Sequence, residues 1–366
     1  MTRLREGFTT GTAAAAAAKA GVLLLAAGEG RGVVDVPLPA GGRLAIPIAR
    51  CEAEGEGVRV TVVKDAGDDP DVTHRAEIQA LVALDPGLGD GEIVLDGGKG
   101  VGRATLPGLP VPPGEPAINP APRAQIAAAC REALEEAGRG GGARVLVEVP
   151  EGERLALKTL NPRLGILGGI SILGARGTVK PFSHASYLAT IEAGLDVARA
   201  AGLTHAILST GGRSERLARE DLPGAPALAC VQFADFFAPA LAAAAARGFT
   251  RITVAVFFGK LAKQAQGLAN THARTAPLRL DFLAGTCAAA GLPPGDAARV
   301  AAANTAMEAQ EIILASPARD ACLAAVAAQA LAAARGFAGP GPVLEYRLYT
   351  QDGKRLLVRT EEPASP

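Results

Sequence analysis

The stretch NPRLGILGGISILGARGTVKPFS, residues 161–183, decides how the chain is organised. It opens with Asn-Pro, a pair that favours turn initiation, and then interleaves glycines with apolar residues. Apolar residues indicate burial, whereas glycines at this density indicate that the backbone turns or that another group approaches closely. We therefore predict a glycine-rich junction at residues 161–183 that lines a cleft between two domains. A buried connection without a ligand is the alternative.

The length and the pattern of strands and helices predict two domains of mixed α/β class. A chain of 366 residues exceeds the roughly 250–300 residues that one hydrophobic core serves. Residues 1–160 are typical of a β-rich α+β domain. Residues 184–340 place buried strands at 204–209, 228–233 and 251–257 between helices, which predicts a Rossmann-like α/β domain with a parallel sheet. An Asp352-Gly353 turn predicts a hairpin at 341–360, which we expect to return to the N-terminal domain.

The composition argues against several classes of function. A formal net charge of zero, 4% aromatic residues and no tryptophan argue against nucleic-acid binding. Charged residues and glycines interrupt the apolar runs, so we expect no membrane-spanning helix and no signal peptide. The five cysteines are scattered without the spacing of metal ligands. We therefore predict a cytoplasmic protein with buried thiols and no protein-bound metal.

A glycine turn follows the predicted strand at 204–209. Its residues are Thr210, Gly211, Gly212, Arg213 and Ser214. A turn of this kind between a strand and a helix places a nucleotide at the carboxyl edge of a parallel sheet. Asp235 follows the next strand, where an acidic residue commonly binds ribose hydroxyls. We predict a cofactor site from the turn and Asp235; capping of the helix at 236–246 is the alternative role of Asp235.

Two polar clusters supply the candidate catalytic residues. Lys64 and Asp65 open the run KDAGDDPDVTH, in which four aspartates fall within seven residues. Such acids either bond to local N–H groups in turns or line a cleft in which Lys64 partly neutralises them. Asn, Thr, His and Arg cluster at 270–274, so His272 is a third candidate, although a lone histidine is often structural.

The N-terminal motif FTTGT has features of an anion site. Thr9 and Thr10 precede an alanine-rich helix predicted at 13–27, and N–H groups at a helix start favour an anion. Capping of the helix by Thr12 is the simpler explanation.

Two further loops present polar side chains that favour ligand binding. Lys99 and Arg103 flank the glycines of GGKGVGR, which indicates either an anion site or a glycine hairpin. The proline-rich loop at 114–123 is rigid and extended, and it presents Asn119 and Arg123 as polar tips of a wall. We predict that these four residues contact the substrate.

Six segments carry a resemblance to a known family. They are GFTTGTAAAAAAKA, KDAGDDPDVTH, GGKGVGRATLPGL, GEPAINPAPR, NPRLGILGGISILGARGTVKPFS, and STGGRSE taken with GKLAKQAQGLANTHAR. Together they resemble the CbiD family, the cobalt-precorrin-5B C(1)-methyltransferases of anaerobic cobalamin biosynthesis. The resemblance runs from residue 4 to about residue 335, and several motifs are long and chemically unusual.

The resemblance implies S-adenosylmethionine-dependent methylation of ring carbon 1 of a cobalt-bearing tetrapyrrole, with the cobalt carried by the substrate. It implies the methyl donor at the 210–215 turn and the tetrapyrrole between the domains. Carboxylates of the tetrapyrrole then face basic residues, among them Arg163 and Arg176. The nucleophile is the macrocycle itself, so Lys64, Asp65 and His272 order a ligand or handle a proton.

Two other functions stay open at this point. A nicotinamide-dependent oxidoreductase also uses a glycine turn followed by an acidic residue, although the glycine fingerprint is incomplete here. A non-catalytic tetrapyrrole-binding protein needs the basic residues but no second ligand. The sequence also leaves open a homo-oligomer and transient contacts with neighbouring pathway enzymes.

Overall fold

The computed structural model describes residues 4–361 and has a mixed α/β fold divided into two units. The first unit runs to His184, and the second begins at Ala185. The predicted junction at 161–183 therefore lies inside the first unit, and the prediction of a separate connecting segment is wrong.

The first unit is built around one sheet of five strands. The strands of the whole unit are β1 (Gly7–Phe8), β2 (Val33–Pro37), β3 (Arg43–Pro47), β4 (Arg50–Glu54), β5 (Gly57–Val63), β6 (Glu77–Asp85), β7 (Ile93–Gly97), β8 (Gly100–Val101), β9 (Arg103–Ala104), β10 (Gly142–Glu148), β11 (Ile166–Leu167), β12 (Gly169–Ile170) and β13 (Thr178–Val179). The sheet has the order β4-β5-β6-β10-β7, and within it only the β10–β7 pair is parallel. The helices are α1 (Thr10–Ala27), α2 (Pro120–Glu136) and α3 (Gly152–Ala156).

Helix α1 is the core helix of this unit. The alanines at 13–18 are fully buried, because small side chains let α1 pack closely against the sheet and α2. Lys19 is the buried charge of the helix, and its ammonium group forms an ion pair with Glu132 of α2 at 2.7 Å. The helix starts earlier than the predicted residue 13, because Thr9 and not Thr12 is the N-cap and accepts a hydrogen bond from the Thr12 N–H.

The glycine-rich segment at 161–183 pairs with three parts of its own unit. Strand β11 pairs with β9, β12 with β8, and β13 with β1. Gly169 lies opposite Gly100, so the backbones at this point come into direct contact. The close approach that the glycines indicate is therefore an approach of backbone to backbone.

The second unit is a layered arrangement of a mainly parallel sheet and helices. Its helices are α4 (His184–Ala200), α5 (Gly212–Asp221), α6 (Phe237–Ala246), α7 (Phe258–Ala265), α8 (Leu280–Ala289), α9 (Pro294–Ala302), α10 (Ala306–Ala315) and α11 (Arg319–Ala338). Its strands are β14 (His205–Ser209), β15 (Cys230–Gln232), β16 (Arg251–Phe257), β17 (Val343–Tyr349) and β18 (Arg355–Glu361). The sheet order is β15-β14-β16-β17-β18, and all neighbours are parallel except the β17–β18 pair.

The C-terminal hairpin belongs to this second sheet, so the prediction that it returns to the N-terminal domain is wrong. Strand β17 pairs with β16 in parallel from Val343 to Tyr349. Alternate residues Leu344, Tyr346 and Leu348 are buried in the same core as α6, α7 and α11. Burial of these side chains accounts for the pairing, because the strand covers the edge of β16 and completes that core.

Two helices of the described chain are long and apolar enough to cross a membrane, contrary to the prediction of no such run. They are Thr10–Ala27 and Arg319–Ala338. In an apolar stretch of 18 residues, 78% of the first helix and 44% of the second are buried. Alanine supplies most of the hydropathy, and a core helix of a folded unit has the same composition. Their packing in the two cores accounts for this composition, so they are weak evidence for a membrane.

Candidate functional site

The carboxyl edge of the parallel sheet in the second unit is the candidate site. Strand β14 leads into α5, which packs on the sheet face that carries Ile207 and Ala255. Strand β16 leads into α7, which packs on the opposite face with Leu208 and Val254. Because these neighbouring strands send their helices to opposite faces, a crevice is expected between their carboxyl ends. Ligands of open α/β sheets bind in such a crevice.

The turn between β14 and α5 presents backbone donors and open space. Gly211 is the N-cap of α5, so no side chain caps the first N–H groups of the helix. Apart from Gly211 and its two chain neighbours, no described residue has a heavy atom within 4 Å of the point where a Cβ of Gly211 would stand. Thr210 and Ser214 share a hydrogen bond of 3.1 Å between their hydroxyls, which fixes the turn. This geometry suits an anionic group.

Arg213 is tied to the end of the sheet. Its guanidinium group donates to Gln351 Oε1 at 2.8 Å and lies 5.8 Å from the centroid of the Phe257 ring. These contacts hold the side chain beside the turn, and its use by a cofactor stays a prediction.

Asp235 lies in a polar cluster with Lys260 and Thr271. Lys260 forms an ion pair with Asp235 Oδ1, and the Thr271 hydroxyl donates to the same oxygen at 3.1 Å. Burial acts to raise the pKa of Asp235, but the hydrogen bond and charge of Lys260 outweigh it and hold that pKa below its usual value. Asp235 is therefore an ionised acceptor at the carboxyl edge. The N-cap of α6 is Phe236, so the alternative capping role of Asp235 is wrong.

His272 directly follows this cluster in the chain. The side chain is exposed, and its Nδ1 accepts a hydrogen bond from the Arg274 N–H at 3.3 Å. The Thr271 N–H donates to Asp235 O at 3.0 Å, so the segment that carries His272 lies beside Asp235. The catalytic role of His272 stays a prediction.

Three residues of this edge are absent from the predicted site: Lys260, Lys263 and Thr271. The lysines are three residues apart on α7 and share one helix face. Their position directly after the buried strand at 251–257 is a signal that sequence reasoning can use. The link from Thr271 to Asp235 spans 36 residues and has no signal in the sequence.

Gln264 of α7 carries an unsatisfied amide. The residue is fully buried, and neither Nε2 nor Oε1 has a hydrogen-bond partner among the described residues. We expect Gln264→Met to raise the free energy of unfolding by about 1–3 kcal/mol, because methionine fills a similar volume without this desolvation cost. Urea unfolding of the variant and the wild type measures the difference.

The matched control is Gln266→Met, because Gln266 is satisfied at both ends. Its Nε2 donates to Ala262 O at 3.0 Å, and its Oε1 accepts from the Arg279 N–H at 3.1 Å. The free energy of unfolding of this variant should fall by about 1 kcal/mol. A loss of stability in Gln264→Met as well would mean that its amide has a partner such as a buried water.

The predicted catalytic residues Lys64 and Asp65 lie in the first unit and have partners there. The Lys64 ammonium is 1% exposed and bonds Asp71 Oδ2 at 2.7 Å. Asp65 forms an ion pair with Arg5, which lowers the pKa of Asp65 to about 2. The Gly67 N–H donates to Asp65 Oδ1 at 2.9 Å. The Gly67 contact is the turn chemistry considered for the acidic run, and the pairing of Lys64 with Asp71 is the neutralisation considered for a cleft. A catalytic role for Lys64 or Asp65 stays a prediction.

Thr9 and Thr10 are buried, and their polar groups are used within the first unit. The Thr9 N–H donates to Gly177 O at 3.0 Å. The Thr10 hydroxyl donates to Leu173 O at 3.2 Å and accepts from the Leu173 N–H at 2.9 Å. The start of α1 is thus capped by Thr9 and bonded to the glycine-rich segment, which favours a capping role for the motif, although by Thr9 and not by Thr12, over the anion site.

The remaining predicted substrate residues lie in separate loops of the first unit. Arg103 forms an ion pair with Asp96 at 3.0 Å, and Arg123 donates to Leu95 O at 3.3 Å. Asn119 precedes α2 without capping it through its side chain. The other three differ in exposure: Lys99 and Arg176 are exposed, and Arg163 is half-buried.

A cavity of about 480 Å³ lies at the opposite, amino edge of the sheet in the second unit. His205 at the start of β14 and Asp221 at the end of α5 are its charged or titratable lining residues. Arg347, Tyr349 and Arg355 already bind the Asp221 carboxylate. We place the candidate site at the carboxyl edge instead, because there the helix start and the polar cluster converge. Within residues 4–361, no group of three or more His, Cys, Asp or Glu is arranged to hold a metal ion.

Comparison with known families gives two matches along the chain. The CbiD family matches residues 1–181, and the C-terminal domain of CbiD matches residues 270–360. The first match covers the first unit except its last three residues, 182–184, and includes the glycine-rich segment up to residue 181. The second includes Thr271 and the hairpin β17–β18.

Individual proteins match over nearly the full chain. A cobalt-precorrin-5B C(1)-methyltransferase of Nitratidesulfovibrio vulgaris is 51% identical over 359 residues, which is 96% of this chain and 92% of that protein. One from Geobacillus sp. is 43% identical over 355 residues, 96% of each chain. The 1.9 Å crystal structure of cobalamin biosynthesis protein (cbiD) from Archaeoglobus fulgidus is 30% identical, with a TM-score of 0.41, and the match covers 70% of this chain and 78% of that one.

Proposed function

The chain belongs to the CbiD family, and from this premise we propose that it transfers a methyl group from S-adenosylmethionine to carbon 1 of cobalt-precorrin-5B. The product of that transfer is cobalt-precorrin-6A. The observation that carries the proposal is 51% identity to a cobalt-precorrin-5B C(1)-methyltransferase over 96% of the chain. At this coverage the chain is a C-methyltransferase of cobalamin biosynthesis.

We propose that the second unit serves as a Rossmann-like domain and binds the methyl donor at its carboxyl edge. The uncapped start of α5 and the open space at Gly211 fit an anionic group of the donor. Asp235 fits the ribose hydroxyls, because Lys260 and Thr271 hold its Oδ1. Among the described residues no hydrogen bond uses Asp235 Oδ2, which is left to accept one from a ligand.

S-adenosylmethionine supplies an electrophilic methyl group on a sulfonium, and the ring carbon of the substrate is the nucleophile. The residues of the chain then need to orient the two reactants in line and exclude water. His272 directly follows Thr271, whose hydroxyl donates to Asp235, and we propose that it orders a ligand or accepts a proton released by the ring. For the first unit we propose that Lys99, Arg163 and Arg176 bind carboxylates of the tetrapyrrole, because basic groups suit that chemistry, and of the three Lys99 and Arg176 are exposed and Arg163 is half-buried.

We also propose that the protein works in a reducing cytoplasm and that the cobalt belongs to the substrate. All five cysteines of the sequence lie in the described part of the chain and are free thiols.

The experiment that tests the activity uses methyl-labelled S-adenosylmethionine and cobalt-precorrin-5B under anaerobic conditions, with mass spectrometry of the product. One labelled methyl group at carbon 1 is the expected result. Corrinoid binding without label would indicate a non-catalytic tetrapyrrole-binding protein instead. Binding of a nicotinamide dinucleotide with no methyl transfer would indicate an oxidoreductase.

The cofactor site is tested by Gly211→Val. The backbone at Gly211 is extended, with φ 168°, and the space around it is open, so valine fits without strain. We expect the affinity for S-adenosylmethionine to fall about 10- to 100-fold because the side chain occupies the space of the ligand. Isothermal titration calorimetry measures the affinity, and thermal unfolding should show an unchanged protein.

Gly224→Val is the matched control. Gly224 also has open space and lies beyond the other end of α5, about 15 Å along the helix axis. Its substitution should leave the affinity unchanged. Equal affinities for wild type, Gly211→Val and Gly224→Val would place the cofactor elsewhere.

A further inference from the structure

The two lysines of α7 differ in how their charges are balanced. Lys260 has a carboxylate partner in Asp235, and its ammonium also donates to Thr271 Oγ1 at 3.0 Å. Lys263 lies three residues further on the same face, and its ammonium donates to Thr271 O at 3.2 Å. Among the described residues no carboxylate forms an ion pair with Lys263.

A bound anion would therefore balance the charge of Lys263. Its side chain is half-buried, so water screens the ammonium only in part. Burial lowers the pKa of Lys263, Lys260 lowers it further, and Asp235 only partly offsets these effects. Arg274 adds a further positive charge in the segment after the helix. Asp235 thus faces an excess of positive charge at this edge.

We propose that Lys263 binds a carboxylate group of a ligand at the carboxyl edge of the sheet, with Lys260 and Thr271 as its positioning residues. Thr271 O accepts from both ammonium groups and so fixes their separation. This inference rests on the proposed function, because that function names two carboxylate-bearing ligands. The methyl donor carries a single carboxylate, for which Lys263 and the N–H groups at the start of α5 would be joint partners, and the tetrapyrrole carries carboxylates on its periphery.

The test compares Lys263→Met with Lys263→Arg by calorimetry and steady-state kinetics. We expect Lys263→Met to lower the affinity for one of the two ligands about 10- to 100-fold, because a charge-assisted hydrogen bond is lost. Lys263→Arg keeps the charge and should stay within a few-fold of wild type. A rise in KM with little change in kcat is expected, since the contact is equally present before and during methyl transfer.

Decarboxylated S-adenosylmethionine identifies the source of the carboxylate. If Lys263 binds the donor, the wild type prefers S-adenosylmethionine over the decarboxylated form, and Lys263→Met loses that preference. If it binds the tetrapyrrole, donor affinity is unchanged and the KM for cobalt-precorrin-5B rises. Either result supports the proposal.

Two controls keep the result interpretable. Lys354→Met removes one positive charge from an 80% exposed side chain of the same unit and should change neither ligand. Thermal unfolding of Lys263→Met should show a folded protein, because the variant loses one hydrogen bond to Thr271 O and no ion pair. Unchanged binding of both ligands in a folded Lys263→Met overturns the proposal for Lys263 alone. Failure of the wild type to bind either ligand would instead overturn the proposed function.

Discussion

Replacement of Gly100 by alanine is expected to lower the free energy of unfolding of the first unit by about 3–5 kcal/mol. Two effects add at this position. Gly100 has φ +73°, a left-handed conformation that disfavours any side chain. A Cβ there would also lie 1.9 Å from Val149 O, which is far inside van der Waals contact.

The neighbouring backbone is fixed and cannot easily move away from that Cβ. The Val149 N–H donates to Lys99 O at 2.8 Å, and Val149 O accepts from the Gly152 N–H at 2.7 Å. On the other side, Gly169 pairs with Gly100. Relief of the clash would therefore break hydrogen bonds that join β8, β12 and the start of α3.

Gly28→Ala separates the two effects. Gly28 has φ +71°, nearly the same as Gly100, but apart from its two chain neighbours no described residue has a heavy atom within 4 Å of the position of an added Cβ. Gly28→Ala should lower the free energy of unfolding by only about 1–2 kcal/mol. Urea unfolding followed by circular dichroism, with hydrogen exchange of β8 to report on the first unit, measures both variants. Equal losses would show that the left-handed backbone alone explains the effect.

Gly100 also shows how far sequence reasoning reaches. Glycine density predicts a close approach but does not say whether a ligand or another backbone approaches. For two features of the second unit local patterns are sufficient: the strand predicted at 251–257 is β16, and the glycine turn lies between β14 and α5. In these segments the spacing of apolar residues and the turn residues act on neighbours in the chain, so the sequence alone reveals them.

Partners distant in the chain could not be predicted. The hairpin β17–β18 has no sequence feature that chooses between two sheets, and its place depends on how Leu344 and Leu348 fill a core formed by other segments. The ion pair of Arg5 with Asp65 spans 60 residues, and the bond of Thr271 to Asp235 spans 36. For this reason the sequence alone predicts a functional role for the acidic run KDAGDDPDVTH, and the structure is needed to identify its structural partners.

Removal of the Asp71 charge is the second large expected effect. In Asp71→Asn the Lys64 ammonium, 1% exposed, would lose its carboxylate partner, and we expect a loss of about 3 kcal/mol because a buried charge is left uncompensated. Asparagine keeps Oδ1, which accepts from the Thr73 N–H at 2.7 Å, so the local turn is preserved. Urea unfolding at neutral pH measures the loss.

The pH dependence gives an independent check on the same pair. Burial acts to raise the pKa of Asp71, but the charge and hydrogen bond of Lys64 outweigh it, so the folded-state pKa lies below the unfolded one. The stabilisation by this carboxylate is therefore present above the unfolded pKa and is lost as the pH falls through the folded pKa. The difference between wild type and Asp71→Asn should shrink over that acidic range.

The double variant Lys64→Met/Asp71→Asn distinguishes a structural from a catalytic lysine. If Lys64 serves only the ion pair, loss of both charges should restore stability to within about 1 kcal/mol of wild type, because the uncompensated charge is gone. Methyl transfer per folded molecule should then be close to wild type. If Lys64 moves a proton, kcat should instead fall about 10²- to 10⁴-fold in Lys64→Met and remain low in the stable double variant. The buried pairing with Asp71 favours the first result, since an ammonium held in this way has no open path to a substrate.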